Sequence, residues 1–226
     1  MVGHLVLVQA IGVRVPVRQP NMSKSIKNIT FDYGGVLRFY GQTNPIKLAA
    51  KETGISEDDF RKRYFELNHL SNCENMLWLD MFFEVLSSFN LKNDIKEATI
   101  KIIKENQKEV SLNTELISAL PSLKEQGLGI SLLSNNTSEL RDELEKEKLT
   151  NYFDEIVISG EVGFQKPDKR IFEILFSKLD LHPSEVLFID DAPKSLENSK
   201  DIGFVPILFR DNAQLASELI KLGITL

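Results

Sequence analysis

The sequence predicts an α/β fold, a parallel sheet wrapped by helices, with a block of helices inserted after the first strand. Three observations carry this expectation. Short β-rich runs recur and end in glycines or polar residues, at 26–32, 128–134, 154–160, 185–191 and 205–209. From residue 113 onward these runs alternate with amphipathic stretches, as strands joined by right-handed crossover helices do. Between the first run and the rest, from about residue 43 to 111, the periodicity is helical and no comparable strand occurs.

Taken in order, "IKNITFD" (26–32) is a buried strand by its length and its flanking glycines. Four helices are predicted next, over "NPIKLAAKETG", "SEDDFRKRYFELNHL", "ENMLWLDMFFEVLSSF" and "NDIKEATIKIIKENQKEV". The second opens with a serine N-cap and three acids in its first turn, as the helix dipole favours. Helix "TELISALPSLKEQG" buries Leu116, Leu120 and Leu123, stops at Gly127, and should kink or restart at Pro121. Strand "LGISLLS" follows, then helix "SELRDELEKEKL", with Asn136 and Glu139 at capping-box spacing ahead of it. Strand "DEIVISG", helix "PDKRIFEILFSKL", strand "EVLFIDD", helix "PKSLENSKDIG", strand "VPILF" and helix "AQLASELIKLG" complete the chain.

At 226 residues, with 42% hydrophobic and 27% charged residues, the composition is that of a soluble globular protein with one ordinary core and a smaller appendage. A formal net charge of -6 argues against a nucleic-acid partner, which needs a basic face. The one cysteine, Cys73, excludes an internal disulfide and fits a cytoplasmic setting. With three scattered histidines and that cysteine, no zinc site of ordinary spacing can form, so any metal here has oxygen ligands. Residues 1–21 contain no run long enough to span a membrane, and Arg14 and Arg18 interrupt their apolar stretch. They read as an extension, unstructured or not native, ahead of a protein that starts well at Met22. "NMS" and "NIT" match glycosylation acceptors, a pattern common by chance.

In a parallel sheet, ligands bind at the carboxyl ends of the strands. Those ends carry Asp32, then Ser134-Asn135-Asn136, then Asp190-Asp191, with Lys166 in the loop after "DEIVISG". Taken singly each has a bland reading: Asp32 a turn residue, Ser134 a helix cap, the paired aspartates a solvated strand end. Taken together their chemistry is complementary. Clustered acids cannot all stay ionised unless a cation sits among them. With hard oxygen ligands that cation is Mg²⁺, which keeps several waters and grips a phosphate oxygen. Ser134, the following amides and Lys166 would hold the other phosphate oxygens. One oxygen of Asp32 is then free to attack phosphorus. Gly34 and Gly35 let the backbone pass close to metal and substrate.

These residues resemble the motifs of the haloacid dehalogenase-like (HAD) superfamily: "FDYGGVL", "SLLSNN", "FQKPD" and "FIDDAPKSLENSKDIG", in that order. The match covers most of residues 27–208, and the chain looks most like the capped phosphatases that include glucose-1-phosphate phosphatase-like proteins. The resemblance implies a Rossmann-like core over 22–42 and 112–226, with a helical cap at 43–111. It implies Asp32 as nucleophile, and Asp32, the Gly34 carbonyl, Asp190 and Asp191 around Mg²⁺. Ser134 and Asn135 would contact the phosphate, and Lys166 would neutralise phosphate and Asp32 together. The expected substrate is a small phosphorylated metabolite, with neither nucleic acid nor membrane as partner. The alternatives are a catalytically weak phosphate-binding or regulatory protein and a dehalogenase.

Gly34 is the departure, because most phosphatases of the superfamily carry a general acid–base aspartate there. In the cap, Asp80 and His69 are the polar candidates for reaching the site. Trp78, Phe82 and Phe83 read as core rather than substrate wall.

Overall fold

The computed structural model describes residues 26–40, 44–106 and 110–226; the extension expected at 1–21 lies outside them. Strand β1 (Asn28–Phe31) leads into a short strand β2 (Arg38–Tyr40). Four helices follow: α1 (Pro45–Thr53), α2 (Glu57–Asn72), α3 (Trp78–Ser87) and α4 (Asn93–Asn106). Next come β3 (Val110–Leu112), α5 (Thr114–Glu125), β4 (Gly129–Ser134), α6 (Leu140–Lys146), β5 (Glu155–Ile158), α7 (Ser159–Val162) and α8 (Lys169–Leu179). The chain ends with β6 (Val186–Asp190), α9 (Pro193–Leu196), α10 (Ser199–Ile202), β7 (Val205–Leu208) and α11 (Asn212–Lys221). Among these residues no helix is long and apolar enough to cross a membrane.

The sheet is all-parallel, in the order β5-β4-β1-β6-β7, with β1 at its centre. The period-2 alternation of a strand sends its side chains to two separate layers. Ile29, Phe31, Leu132, Ile156, Leu187 and Ile189 pack on one face with α5, α6 and α11. Leu133, Val157, Val186 and Phe188 pack on the other against Ile171, Phe172 and Leu175 of α8. Full burial of each such side chain is worth about 1.5–3 kcal/mol, so two covered faces hold the central strands firmly. The four helices α1–α4 have a core of their own, around Phe60, Phe82, Val85 and Ile103.

The structure corrects several local expectations. Strands β2 and β3 pair antiparallel on either side of the helical block, where no strand was expected. Three residues are too few to show alternation, and Phe39 and Val110 stay exposed. Helix α5 runs through Pro121 as one element, its buried Leu116, Ile117, Leu120 and Leu123 holding it to the sheet. The capping box at Asn136 does not form: its Oδ1 accepts from Thr137 N–H at 2.8 Å, and α6 begins without a side-chain cap. Helix α3 starts at Trp78, four residues later than its apolar pattern suggests. The stretch "PKSLENSKDIG" forms two short helices, α9 and α10, rather than one.

Candidate active site

Strand register brings the acids together. Phe31 pairs with Ile189 and with Leu132, so one step further Asp32 lies beside Asp190 on one side and Leu133 on the other. Asp32 N–H continues the ladder to Ile189 O at 2.9 Å. Positions 28, 30 and 32 share a face, and the buried Asn28, Thr30 and Ser131 below Asp32 satisfy one another: Asn28 Oδ1 accepts from Thr30 and Ser131. Phe188 and Asp190 share that face on β6, and the Lys166 ammonium lies 5.2 Å from the centre of the Phe188 ring.

Lys166 is the hub. Its Nζ donates to Asp190 Oδ2 at 2.6 Å and to Leu133 O at 3.1 Å, and lies 3.0 Å from Asp32 Oδ1. Asn135 fixes this lysine through its backbone, accepting from Lys166 N–H at 2.8 Å and donating to Lys166 O at 3.0 Å. Both ends of the Asn135 amide are thereby engaged, which leaves its backbone N–H as its means of meeting an anion. Burial alone would lower the Lys166 pKa, but the charges and hydrogen bonds of Asp32 and Asp190 outweigh it and hold it raised.

The three carboxylates fit a cation. Oxygens of Asp32, Asp190 and Asp191 all lie within 4.8 Å of one another. Burial, opposed by Lys166 and reinforced by Asp190 and Asp191, pushes the Asp32 carboxyl up to about 8. Asp191 is also raised, first by the protein closing round it and then by Asp190. Hard oxygen donors in mutual repulsion are the donor set of Mg²⁺. Gly35 supplies the space: it has φ 77°, and a Cβ there would collide with the Asp191 carboxylate. The left-handed backbone therefore belongs to Gly35 and not to Gly34, which the sequence had paired with it.

A cavity of about 450 Å³ opens over this cluster, between the sheet and the helical block. Asp32, Gly34, Ser134, Asn135 and Lys166 line it from the sheet side. Asp190, fully buried, and Asp191, exposed, keep their carboxylates close to that of Asp32. From α2 come Tyr64, Phe65, Asn68, Ser71 and Asn72, and from α3 Trp78. Sequence reasoning missed the α2 residues, as well as Glu143 of α6 at the rim.

Neither polar candidate from the helical block is on the wall. His69 is one residue, about 100°, past the face that carries Asn68; it is exposed, with Nδ1 3.0 Å from Glu66 O. Asp80, two residues beyond Trp78, is exposed on α3. Trp78 has a double role, packing against the buried Phe82 at a tilt of 41° and 4.9 Å between ring centres while lining the cavity.

Hydrogen bonds hold the block against the loops that carry the site. Asn75, after α2, has φ 59°; it donates to Gly160 O at 2.8 Å and accepts from Ser138 N–H at 2.9 Å. Gly160 has no room for a Cβ, which would collide with that Asn75 amide. Asn72 donates to Gln165 at 2.7 Å, next to Lys166.

With this geometry in view, comparison with known proteins places the chain. The model of the haloacid dehalogenase-like hydrolase family matches residues 42–208. The chain belongs to that family. Among curated relatives, Bifunctional epoxide hydrolase 2 of Rattus norvegicus is 34% identical over 116 residues, 49% of this chain and 21% of the relative. The match thus spans about a fifth of the epoxide hydrolase's length. D-ribitol-5-phosphate phosphatase of Bacteroides thetaiotaomicron is 26% identical over 86% of this chain and 97% of its own. (S)-2-haloacid dehalogenase 1 of a Pseudomonas species is 31% identical over 54% of this chain and 51% of its own.

Two solved structures show the same fold. A HAD-like hydrolase from Porphyromonas gingivalis aligns with a TM-score of 0.63 at 21% identity, covering 88% of this chain and 98% of its own. A HAD enzyme from Bacteroides thetaiotaomicron, in complex with magnesium and inorganic phosphate, aligns at 0.57 and 21% identity, covering 84% and 98%. The family is described as one of hydrolases, and phosphatases are among the relatives that this chain matches.

Proposed function

We propose that the protein is a Mg²⁺-dependent phosphoric monoester hydrolase that acts on a small phosphorylated metabolite through an aspartyl phosphate on Asp32. One observation carries this reading: Asp32, on the wall of a cavity, sits 3.0 Å from the Lys166 ammonium and within 4.8 Å of two further carboxylates. Asp32, the Gly34 carbonyl, Asp190 and Asp191 would hold the metal. When bound, magnesium supplies positive charge to the phosphoryl oxygens and relieves the repulsion among the acids.

The chain's own residues do the rest. Lys166 keeps one Asp32 oxygen in place and faces the phosphate with its charge. Ser134 and the Asn135 N–H bind phosphoryl oxygens. The free oxygen of Asp32 attacks phosphorus as the bond to the substrate alcohol breaks. Water then cleaves the acyl phosphate, releasing inorganic phosphate and restoring the Asp32 carboxylate.

In this reading residues 43–111 are the cap and 22–42 with 112–226 the core. A cytoplasmic location suits the free thiol of Cys73. Gly34 supports a second reading, a phosphate-binding or regulatory protein with little turnover, because it offers no proton donor. Repeated phosphate release separates the two.

The test is release of phosphate from acetyl phosphate and p-nitrophenyl phosphate, with Mg²⁺ and after chelation. Release should stop on chelation and return when Mg²⁺ is restored. Undiminished release without metal, or halide release from a 2-haloalkanoic acid instead, would remove this reading. Gly35→Ala should also raise the Mg²⁺ concentration that half-saturates activity by about 10- to 100-fold, because it displaces the Asp191 carboxylate. An unchanged Mg²⁺ titration would show that Asp191 does not help to hold the metal.

A further inference from the structure

Three consecutive residues around Lys166 are each held by an asparagine amide from a different part of the fold. Gln165 accepts from Asn72, the last residue of α2, at 2.7 Å. Asn135, just after β4, accepts from Lys166 N–H and donates to Lys166 O. Asn198, just ahead of α10, donates from Nδ2 to Pro167 O at 3.2 Å. Pro167 has no N–H, so its carbonyl is the backbone group by which that residue can be gripped. The bond is not a by-product of either neighbouring helix. Helix α8 has its own side-chain cap in Asp168, and Asn198 makes no side-chain cap to α10.

What the segment carries explains why it is held so closely. The Lys166 ammonium meets three acceptors at once, Asp190 Oδ2, Asp32 Oδ1 and Leu133 O. An ammonium has three protons, so each finds one partner. It reaches them on a flexible four-carbon stem. Such a group settles into a three-point socket only when the backbone at its root is fixed, because any shift of the root is carried to Nζ.

Asn198 itself stays outside the site. With Pro167 it lines a separate cavity of about 480 Å³, and it is not on the wall of the cavity over Asp32. Any effect it has on the reaction passes through the segment that carries Lys166.

We propose that Asn198 is a positioning residue of the reaction: by holding Pro167 O it fixes, together with Asn135, the root from which Lys166 reaches Asp32 and Asp190. As a statement about the reaction this rests on the phosphatase reading; as a statement about where Lys166 stands it does not.

Asn198→Ala and Asn198→Asp test it. Aspartate keeps the shape of the side chain and suits a helix N-cap as well as asparagine does, but it cannot donate to a carbonyl. With acetyl phosphate and saturating Mg²⁺, both variants should lose about 10- to 100-fold in kcat while KM stays within about threefold. A displaced ammonium withdraws stabilisation from the transition state more than from the bound substrate. Crystal structures of the metal-free variants should show Lys166 Nζ moved out of reach of Asp32 Oδ1.

Wild-type kcat in the folded aspartate variant would show that the donated bond does not matter and would overturn the assignment. So would a change confined to KM, or a Lys166 Nζ that still stands 3.0 Å from Asp32 Oδ1 in the variant structures. If the wild type itself releases no phosphate from acetyl phosphate, the phosphatase reading falls, and the variant structures still decide where Asn198 holds Lys166.

Discussion

Asp32→Asn abolishes phosphate release from every substrate, by a factor on the order of 10⁴ or more, because it removes the nucleophile and leaves its surroundings in place. The asparagine can still accept from Tyr33 N–H, at 2.7 Å in the wild type, and from Lys166 at 3.0 Å. The metal-free variant should melt no lower than the wild type. A raised carboxyl pKa means that the stabilising contribution of Asp32 is fully present below the ordinary carboxylate range, near 3.8, and is lost as pH rises through about 8. At neutral pH most of that contribution is already gone, so a neutral amide forfeits little. Single-turnover release of phosphate and a thermal melt check the two halves. Wild-type rates in the variant would end the aspartyl-phosphate mechanism. Lost activity together with a much lower melting temperature would mean that Asp32 had been serving the fold.

Rates should also depend steeply on the acidity of the leaving group, with acyl and aryl phosphates about 10²- to 10⁴-fold ahead of alkyl phosphates. The cause is Gly34. Where a carboxylic acid would hand its proton to the departing oxygen, this chain has no side chain, and neither Asp80 nor His69 reaches the cavity to replace it. An alkoxide must then leave nearly unaided, whereas a phenolate or an acetate is already a stable anion.

Gly34→Asp should flatten the dependence, since Gly34 lacks the positive φ that makes a side chain strained at Gly35. The rival donor is Glu143, which lines the rim but is paired to Arg38 at 2.6 Å. A plot of log kcat/KM against leaving-group pKa decides between them. If it is flat in the wild type and steepens in Glu143→Gln, the donor is Glu143 and the proposal about Gly34 fails.

The strand-end residues were legible because they depend on topology more than on packing. Once strands alternate with crossover helices, their carboxyl ends must lie along one edge of the sheet, and Asp32, Ser134 and Asp190 are found by reading those ends. Lys166 was legible in the same way, as the one cation in the loop after β5. The role of Asn135 was less so. Its spacing says that it follows a strand, but not that its amide is used on the Lys166 backbone, 31 residues away. Gly35 was read for the right property without its object, since no sequence pattern ties a glycine to the Asp191 carboxylate 156 positions later.

By itself the sequence determined where along the chain the five strands of the parallel sheet fall, the helical block after the first of them, and the acids and lysine that meet at the strands' carboxyl ends. Those features follow from local periodicity and from chain connectivity, which a linear string carries. The tertiary structure alone decided which face of α2 looks at Asp32, that Trp78 belongs to the wall as well as the core, and that Asn75 ties the block to the loops at Ser138 and Gly160. A helix turns about 100° per residue, so a small change in its rotation exchanges Asn68 for His69 over the cavity. That rotation is set by how Phe60, Phe82 and Ile103 pack in the core of the helical block, and it is a property of three-dimensional contacts rather than of spacing.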